Sequence, residues 1–241
     1  MNTTTLIGTW LSLGSPAVAE IAGDSGFDWL LFDLEHGCAT DAAIPDQLRA
    51  LRGGNTKAIV RVGAPHIDLI GRVLDWGAQG IMVPRVCSAE DAEKIVQAAH
   101  YAPRGRRGVA RTVRAVGYGL RLPDEQHMTK PIILAQIETL ESVDNAASIA
   151  AVDGIDVLFI GPADLSYDLL AQKSDRTYDE CVMLVAKAAS QNGKQCGVLL
   201  RRTEDIAPMK ALGLTWLAVD SDISILRKAY QQTLSSIPRQ P

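Results

Sequence analysis

Acidic, imidazole and guanidinium side chains stand directly after several short apolar runs of this sequence. Asp33, Glu35 and His36 follow one such run. Arg61 ends the next run, and Glu138 ends a later one. The set is completed by an amide and a further carboxylate, Gln136 and Asp164. Carboxylates bind hard cations, imidazole exchanges protons near neutral pH and guanidinium stabilises oxyanions, so these residue types predict chemistry at a carbonyl group.

Two of the carboxylates, Glu138 and Asp164, predict a site for a divalent cation. Mg²⁺ or Mn²⁺ is commonly held by one or two carboxylates with water and substrate in the other positions, and Co²⁺ or Zn²⁺ are alternatives. Such a cation is expected to bind a 2-oxo acid and stabilise its enolate. A Schiff-base mechanism would need a desolvated lysine near the carboxyl end of a strand. The relevant lysines instead precede predicted strands: Lys57, Lys130 and Lys194.

The other polar residues suit separate parts of such a reaction. Arg61 is a permanent cation and is expected to donate to the enolate oxygen. His36 is expected to exchange the proton of the aldol hydroxyl. Asp33 and Glu35 are candidates for orienting water around the cation, although only one can face the site if their segment stays extended. Residues 161–164 resemble a turn that presents backbone N–H groups to a carboxylate.

Eight short apolar runs alternate with helix-period segments along the chain. The predicted strands are residues 6–13, 29–34, 58–62, 80–86, 131–138, 156–160, 195–200 and 216–219. Most are continuous runs of Val, Ile and Leu, as expected of parallel strands buried on both faces. They indicate a (β/α)₈ TIM barrel forming one domain over residues 1–241, whereas a doubly wound sheet would leave eight strands unclosed. Active sites of such barrels lie at the carboxyl ends of the strands, so the polar residues are expected at one rim.

Composition and charge narrow the class of protein. The chain has 241 residues, of which 47% are hydrophobic and 22% charged, as in ordinary globular proteins. A formal net charge of −4 argues against a nucleic-acid partner. No apolar run approaches the ~20 residues of a membrane span. Four cysteines without a paired motif favour a cytoplasmic location over a disulfide framework or a zinc knuckle.

A long loop with six arginines interrupts the alternation between residues 103 and 123. Loops of this length in compact domains are usually functional or flexible. Two interpretations stay open: a solvated loop, or an anion-facing lid or subunit contact. The loops after the seventh and eighth predicted strands have no glycine-rich cradle, which disfavours a phosphorylated acceptor.

Six segments occur in an order that is typical of one enzyme family. They read GTWL at 8–11, FDLEHG at 32–37, VRV at 60–62, LDWGAQG at 74–80, QIET at 136–139 and FIGPADLS at 159–166. The chain resembles the HpcH/HpaI family of class II pyruvate aldolases, which includes aldolases for 4-hydroxy-2-oxoheptanedioate and 2-dehydro-3-deoxyglucarate. The resemblance runs from residue 6 to about residue 229. One departure lies in the arginine-rich loop, where RTVRAVGYG at 111–119 replaces an Arg-Ala-Ser-Arg-Trp-like segment and leaves the acceptor aldehyde open.

The resemblance assigns roles to individual residues. It implies a divalent metal ion on Glu138 and Asp164, and it places His36 and Arg61 in catalysis. It also implies that the amide of Gln136 lies near the pyruvate. The backbone of Ala163 and Asp164 is implied to bind the pyruvate carboxylate.

The resemblance also implies an oligomer, usually a hexamer of dimers that exchange the last helix. It further pairs His36 with an aspartate that matches Asp75. Asp75 ends the third predicted helix, which points to the opposite rim of the barrel. Either a partner subunit or an irregular helix end would therefore have to bring the two residues together.

The expected activity is reversible, metal-dependent aldol cleavage. A 4-hydroxy-2-oxo acid would give pyruvate, or a close 2-oxo acid, and an aldehyde through a metal-bound enolate. The partners would be these small molecules, with no nucleic acid and no membrane. An alternative is an acyl-CoA lyase of the citramalyl- or malyl-CoA type, for which the loop between Arg104 and Arg121 would supply a basic groove. A third interpretation, a catalytically silent barrel that binds other proteins, fits poorly with the complete set of polar rim residues.

Overall fold

A closed barrel of eight parallel strands forms the centre of the computed structural model, which describes residues 4–64, 66–120 and 130–238. The strands are β1 (Leu6–Leu11), β2 (Trp29–Asp33), β3 (Lys57–Arg61), β4 (Gly80–Val83), β5 (Ile132–Ile137), β6 (Val157–Ile160), β7 (Gln195–Leu200) and β8 (Trp216–Ser221). Each strand pairs with the next one along the chain, and β8 closes the barrel on β1. The predicted (β/α)₈ class and all eight predicted strands are confirmed.

Helices connect the strands on the outside of the barrel. They are α1 (Pro16–Asp24), α2 (Ile44–Ala50), α3 (Ile67–Asp75), α4 (Ala89–Ala99), α5 (Leu140–Asp144), α6 (Ala146–Ala151), α7 (Pro162–Ala171), α8 (Tyr178–Gln191), α9 (Ile206–Ala211) and α10 (Asp222–Ser235). A helix that leaves the carboxyl end of a parallel strand must return to the amino end of the next strand. Helix starts therefore lie at the carboxyl rim and helix ends at the amino rim. Within the described residues, no helix has the length and apolar character needed to cross a membrane.

Two apolar layers hold the barrel together. Its interior is filled by a buried cluster in which Trp29 contacts the rings of Trp10, Phe159 and Trp216. Gly8 makes room for this filling, because a Cβ atom there would lie 2.3 Å from the Trp29 indole. The second layer lies between the strands and the helices and holds most of the buried aliphatic side chains. Strands buried on both faces explain the continuous apolar runs of the sequence.

At the carboxyl rim of the barrel, the end of the fourth strand differs from the prediction. The fourth strand was predicted over residues 80–86, but β4 ends at Val83. Pro84 has no N–H to continue the ladder, and Arg85 adopts a left-handed backbone with φ 52°. The chain therefore turns at Arg85, which lies at the carboxyl rim between the ends of β3 and β5.

The described part of the arginine-rich loop lies at the amino rim of its own chain. Arg107 donates to Asp75 over 2.5 Å. Arg114 donates to the carbonyl oxygen of Trp76, between α3 and β4, and to that of Leu48, in the last turn of α2. This part of the loop consequently does not form a lid over the active rim of the same chain. Arg121 lies outside the described residues.

Candidate active site

The segment after β2 is a tight turn organised by Asp33. Its carboxylate accepts hydrogen bonds from the backbone N–H groups of Glu35 and His36, at 3.0 and 3.2 Å. Gly37 allows the turn to close, because a Cβ atom there would lie 2.1 Å from the Asp33 carbonyl oxygen. The Cys38 N–H then donates to Ser12 O at the end of β1. The turn presents His36 at the rim with an exposed side chain.

Arg61, the last residue of β3, is clamped between two carboxylates. Its Nε and Nη2 donate to the two oxygens of Asp33 at 2.9 and 2.8 Å. Its Nη1 lies 2.8 Å from Glu35 Oε2. The guanidinium also lies over the Trp10 ring, with Cζ 5.6 Å from the centroid, and only 7% of the side chain is exposed. Bidentate pairing fixes the plane of the guanidinium and leaves two of its five N–H groups for another acceptor.

Asp33 and Glu35 both face Arg61, because the segment is not extended and the condition for only one of them facing the site is not met. The chain does not stay extended after Asp33, so the alternation of side chains on a strand no longer applies. Burial raises the pKa of the Asp33 carboxyl, but Arg61 and the two turn N–H groups outweigh it and hold the pKa below its ordinary value. Burial instead dominates at Glu35 and raises its pKa, against the opposing charges of Arg61 and His36.

Glu138, one residue beyond β5, is a buried carboxyl group in an acidic environment. Burial raises its pKa to about 7, and the nearby charges of Asp164 and Glu35 add to the rise. The Arg85 N–H donates to Glu138 Oε1 at 2.8 Å and acts in the opposite direction. Gln136 Nε2 donates to the other carboxylate oxygen, Oε2. Both Glu138 oxygens therefore face defined donors, and the group is held in one position.

The start of α7 lies beside Glu138 and offers free backbone donors. Gly161 is the N-cap residue, and a Cβ atom there would lie 2.5 Å from Glu138 Oε2 and 2.8 Å from Gln136 Nε2. Having no side chain, Gly161 supplies no capping acceptor for the first turn. The N–H groups of Ala163 and Asp164 therefore remain available at the positive end of the helix dipole, where a carboxylate binds favourably.

The donor set at this rim fits a hard divalent cation. The charge of Asp164 raises the pKa of both Glu138 and Glu35, the charge of Glu35 adds to the rise at Glu138, and a cation would relieve this repulsion. The Gln136 amide lies beside Glu138, and its Oε1 is buried without a hydrogen-bond partner. A neutral oxygen in this part of the site is therefore also unsatisfied. Across the described ranges, no three His, Cys, Asp or Glu side chains are grouped as a complete metal site. Two carboxylates would leave coordination positions for water and substrate.

The structure does not bring Asp75 to the other site residues of the same chain. Asp75 ends α3 at the amino rim, where it pairs with Arg107. His36 lies at the carboxyl rim, after β2. All the other predicted site residues converge on that carboxyl rim: Asp33, Glu35, His36, Arg61, Gln136, Glu138, Ala163 and Asp164.

Sequence reasoning missed two residues that hold Glu138. Ser142 Oγ accepts the Glu138 N–H at 3.0 Å from inside the first turn of α5, where it also closes a capping box with Thr139. Arg85 donates its N–H to the carboxylate. A Thr-x-x-Ser pattern after a strand is a recognisable capping signal, whereas nothing in the sequence predicts a left-handed arginine.

The fold and the rim define a TIM-barrel enzyme whose acidic site suits a 2-oxo acid and a divalent cation. The chain matches the HpcH/HpaI aldolase/citrate lyase family over residues 6–229 and belongs to that family. It is a carbon–carbon lyase of the aldolase type, in a family that is generally dependent on divalent metal ions.

Named relatives agree with this assignment. The chain is 39% identical to the hydroxypyruvate/pyruvate aldolase of Roseobacter denitrificans, over 92% of this chain and 88% of that protein. It is 36% identical to the 5-keto-4-deoxy-D-glucarate aldolase of Shigella dysenteriae serotype 1, over 94% and 90%. A crystal structure of a family protein from Burkholderia cenocepacia J2315 superposes with a TM-score of 0.89 at 34% identity, covering 96% of this chain and 94% of that one. Solved citrate lyases at 15% and 20% identity share the fold alone.

Proposed function

We propose that this enzyme reversibly cleaves a 4-hydroxy-2-oxo acid into pyruvate, or a close 2-oxo acid, and an aldehyde. The observation that carries the proposal is the buried Glu138, which lies beside the free N–H groups of α7. A buried carboxyl group beside backbone donors suits a cation and a small anion with a keto oxygen. The names of the relatives, hydroxypyruvate/pyruvate aldolase and 5-keto-4-deoxy-D-glucarate aldolase, support the same substrate class.

Glu138 and Asp164 are the residues proposed to hold the divalent cation. Mg²⁺ or Mn²⁺ suits two carboxylates best, with Co²⁺ or Zn²⁺ as alternatives. When bound, the cation supplies Lewis-acid polarisation of the keto group. Arg85 and Gln136 donate to the Glu138 carboxylate, and Ser142 accepts from the Glu138 backbone N–H, so the position of Glu138 does not depend on the ion.

The 2-oxo acid is positioned by the start of α7 and by Gln136. The N–H groups of Ala163 and Asp164 would donate to the substrate carboxylate at the positive end of the helix. Gln136 Nε2 donates to Glu138, and the buried Gln136 carbonyl oxygen beside it has no hydrogen-bond partner. The substrate carboxylate would thereby be held at the start of α7, which leaves the keto end towards Glu138.

Arg61 is proposed to stabilise negative charge on the former keto oxygen. Three of its N–H groups are occupied by Asp33 and Glu35, so its position is set before substrate arrives. Donors that need no reorganisation are the effective ones in stabilising an oxyanion. Asp33 and Glu35 act here by positioning Arg61, and either carboxylate can also orient water beside the cation.

His36 is proposed to take the proton from the aldol hydroxyl during cleavage and to return it during synthesis. It is exposed at the rim, and its backbone is fixed by Asp33. Asp75 is proposed to pair with His36 from a partner subunit, because its own chain places the two residues at opposite rims. Loss of activity in an Asp75→Asn variant, restored in mixed oligomers with a His36→Ala variant, would support that arrangement.

The whole chain is proposed to work as one barrel domain in a hexamer of dimers that exchange α10. Exposed apolar side chains lie along α10 and just beyond it: Ile223, Ile225, Tyr230, Leu234 and Ile237. Helices of neighbouring subunits would cover this apolar face of α10 in an oligomer. The four cysteines are free thiols, which supports the expected cytoplasmic location. A single monomer peak in light scattering at micromolar protein would contradict the hexamer.

A pyruvate-release assay over a panel of 4-hydroxy-2-oxo acids tests the proposed function. The protein is assayed as isolated, after EDTA treatment and after Mg²⁺ or Mn²⁺ is added back. We expect the protein to release pyruvate, to lose this activity after EDTA treatment and to regain it when the metal ion is added back. Absence of pyruvate from every substrate in the presence of metal would contradict the proposal.

A further inference from the structure

Asp168 connects the two chain segments that carry the proposed metal carboxylates. It lies in the second turn of α7, and its Oδ2 accepts the Leu140 N–H at 2.7 Å. Leu140 is the first residue of α5 and comes two residues after Glu138. The same Asp168 oxygen accepts the side-chain amide of Gln172 at 2.8 Å, one turn further along α7. The contact therefore joins the segment of Glu138 to the helix of Asp164.

On the α5 side, hydrogen bonds continue from Leu140 to Glu138. Ser142 Oγ accepts the backbone N–H groups of Glu138 and Thr139 at 3.0 and 2.9 Å. Thr139 Oγ1 in turn accepts the Ser142 N–H at 3.1 Å. The Leu140 N–H is one of the donors that a helix start cannot satisfy internally, and Asp168 supplies its acceptor from another helix. The position of Glu138 relative to α7 thus depends on Asp168.

On the α7 side, the helix itself relates Asp168 to Asp164. Side chains four residues apart lie on the same face of a helix, so the two carboxylates point to the same side of α7. The helix start also lies close to Glu138, because a Cβ atom on Gly161 would be 2.5 Å from Glu138 Oε2. The first two turns of α7 consequently contact the Glu138 segment at two separate points.

The stability of α7 alone does not account for an aspartate at this position. Carboxylates four residues apart on a helix repel each other, which is unfavourable. A negative charge favours a helix start only within the first turn, and Asp168 lies beyond that turn. Its hydrogen bond to α5 is therefore the contact that explains it.

We propose that Asp168 is a positioning residue that sets the separation of Glu138 and Asp164, and thereby the affinity of the enzyme for its divalent cation. This inference rests on the proposed function, which assigns the cation to those two carboxylates. Few protein ligands bind an ion well only if they are already in place when it arrives, and hydrogen bonds behind the ligands provide that order. Loss of the contact between Asp168 and Leu140 should therefore weaken metal binding.

Calorimetric titration of the EDTA-treated full chain with Mn²⁺ tests the inference, and urea unfolding of the same metal-free proteins measures stability. Asp168→Ala removes the acceptor, whereas Asp168→Asn keeps a side-chain oxygen for the Leu140 N–H. Gln172→Ala removes only the other partner of Asp168. The matched control is Glu180→Ala, because Glu180 is an exposed carboxylate that accepts the Thr177 N–H at the start of α8, at 2.7 Å.

We expect Asp168→Ala to raise the Kd for Mn²⁺ by about 10- to 100-fold, the usual cost of losing a group that orients a metal ligand. Asp168→Asn should restore most of the affinity. Gln172→Ala and Glu180→Ala should bind Mn²⁺ as the wild type does, although Glu180→Ala should lower the urea midpoint as Asp168→Ala does. A purely structural role of Asp168 would predict the same affinity in the two capping variants.

Leu140→Pro tests the same contact from its other end. Proline is tolerated at the first position of a helix and lacks the N–H that Asp168 accepts. Leu140→Ala is its control, since it loses the side chain and keeps the N–H. We expect Leu140→Pro to weaken Mn²⁺ binding as Asp168→Ala does, and Leu140→Ala to retain it.

Wild-type Mn²⁺ affinity in Asp168→Ala would overturn the inference, as would wild-type affinity in Leu140→Pro if the alanine variant does not fold. So would an equal loss of affinity in Glu180→Ala, because binding would then follow stability alone. Failure of the wild type to bind Mn²⁺, or unchanged affinity in both Glu138→Gln and Asp164→Asn, would instead reject the proposed metal site and the inference with it.

Discussion

Arg61 and Asp33 form a two-point ion pair across the carboxyl ends of the neighbouring strands β2 and β3. The guanidinium Nε and Nη2 donate to the two carboxylate oxygens at 2.9 and 2.8 Å, and both side chains are almost fully buried. The same carboxylate accepts the N–H groups of the turn that carries His36. One carboxylate thus positions the proposed oxyanion donor and the proposed proton carrier together.

This shared role predicts that Asp33→Asn impairs turnover more than substrate binding. An asparagine keeps the size but loses the charge and one acceptor, so Arg61 is held less firmly. We expect kcat to fall by about 10- to 100-fold with little change in KM, in line with the loss of one charged hydrogen bond. Asp41→Asn is the matched control, because Asp41 pairs with the exposed Arg72. A change in KM alone would contradict the positioning role.

The raised pKa of Glu138 predicts a pH-dependent stability in the metal-free protein. Burial above all lifts this pKa from 4.5 to about 7. Between these values the folded protein retains a proton that the unfolded chain has lost. The contribution of this group to the free energy of unfolding is therefore full below about pH 4.5 and is lost as the pH rises through 7, with an upper limit of ~3 kcal/mol.

Glu138→Gln should remove that dependence. Urea unfolding of EDTA-treated wild type and variant, at about pH 5 and about pH 8, measures it. We expect the wild type to lose ~2 kcal/mol more than the variant over this interval, because only the wild type must ionise a buried carboxyl. An equal decrease in the free energy of unfolding of the two proteins between these pH values would contradict a raised pKa of Glu138.

Metal binding should depend on both proposed carboxylates. Glu138→Gln and Asp164→Asn should each weaken Mn²⁺ binding in a calorimetric titration and lower turnover by more than ~100-fold, because Lewis-acid stabilisation supplies several kcal/mol. Glu141→Gln is the control, since Glu141 is an exposed carboxylate only three residues from Glu138. Unchanged Mn²⁺ affinity in both variants would place the metal elsewhere.

No lysine should form a covalent adduct with pyruvate. β3 begins at Lys57, and Lys194 donates to the carbonyl oxygens of Val152 and Ile155 at the amino rim. Lys130 directly precedes β5. Borohydride reduction in the presence of pyruvate should leave both the protein mass and the activity unchanged. An added mass that maps to a lysine would establish the Schiff-base route instead.

The fold, and the set of residues that lie at the carboxyl rim, were predictable because both follow from local sequence patterns. Continuous apolar runs mark parallel strands, and parallel strands bring their carboxyl ends to one rim of a barrel. This is sufficient to group Glu138 with Asp164 and Arg61. The lengths of the strands were less accurate at β4, where a proline and a left-handed arginine end the ladder three residues early.

The contacts within the rim depend on features that a linear pattern does not contain. Asp33 and Glu35 meet the same guanidinium only because the chain turns sharply before Gly37. The pKa of Glu138 depends on burial and on charges from other strands. The arginine-rich loop packs at the amino rim, since it joins a helix end to the start of a strand. The pairing of Asp75 with His36 would require contacts beyond one chain.

Proton exchange between pyruvate and solvent D₂O, followed by NMR, tests the central claim most directly. The claim is that the metal carboxylates and Arg61 stabilise the enolate, while His36 acts at the aldehyde end. The wild type with metal should exchange the methyl protons of pyruvate, and EDTA should abolish the exchange. His36→Ala should lose aldol cleavage yet keep measurable exchange. Arg61→Ala should slow both cleavage and exchange, with an activation free energy higher by roughly 2–4 kcal/mol. Arg61→Lys should restore little of either rate. Complete loss of exchange in His36→Ala with metal still bound, or exchange that persists in metal-free enzyme, would contradict the account.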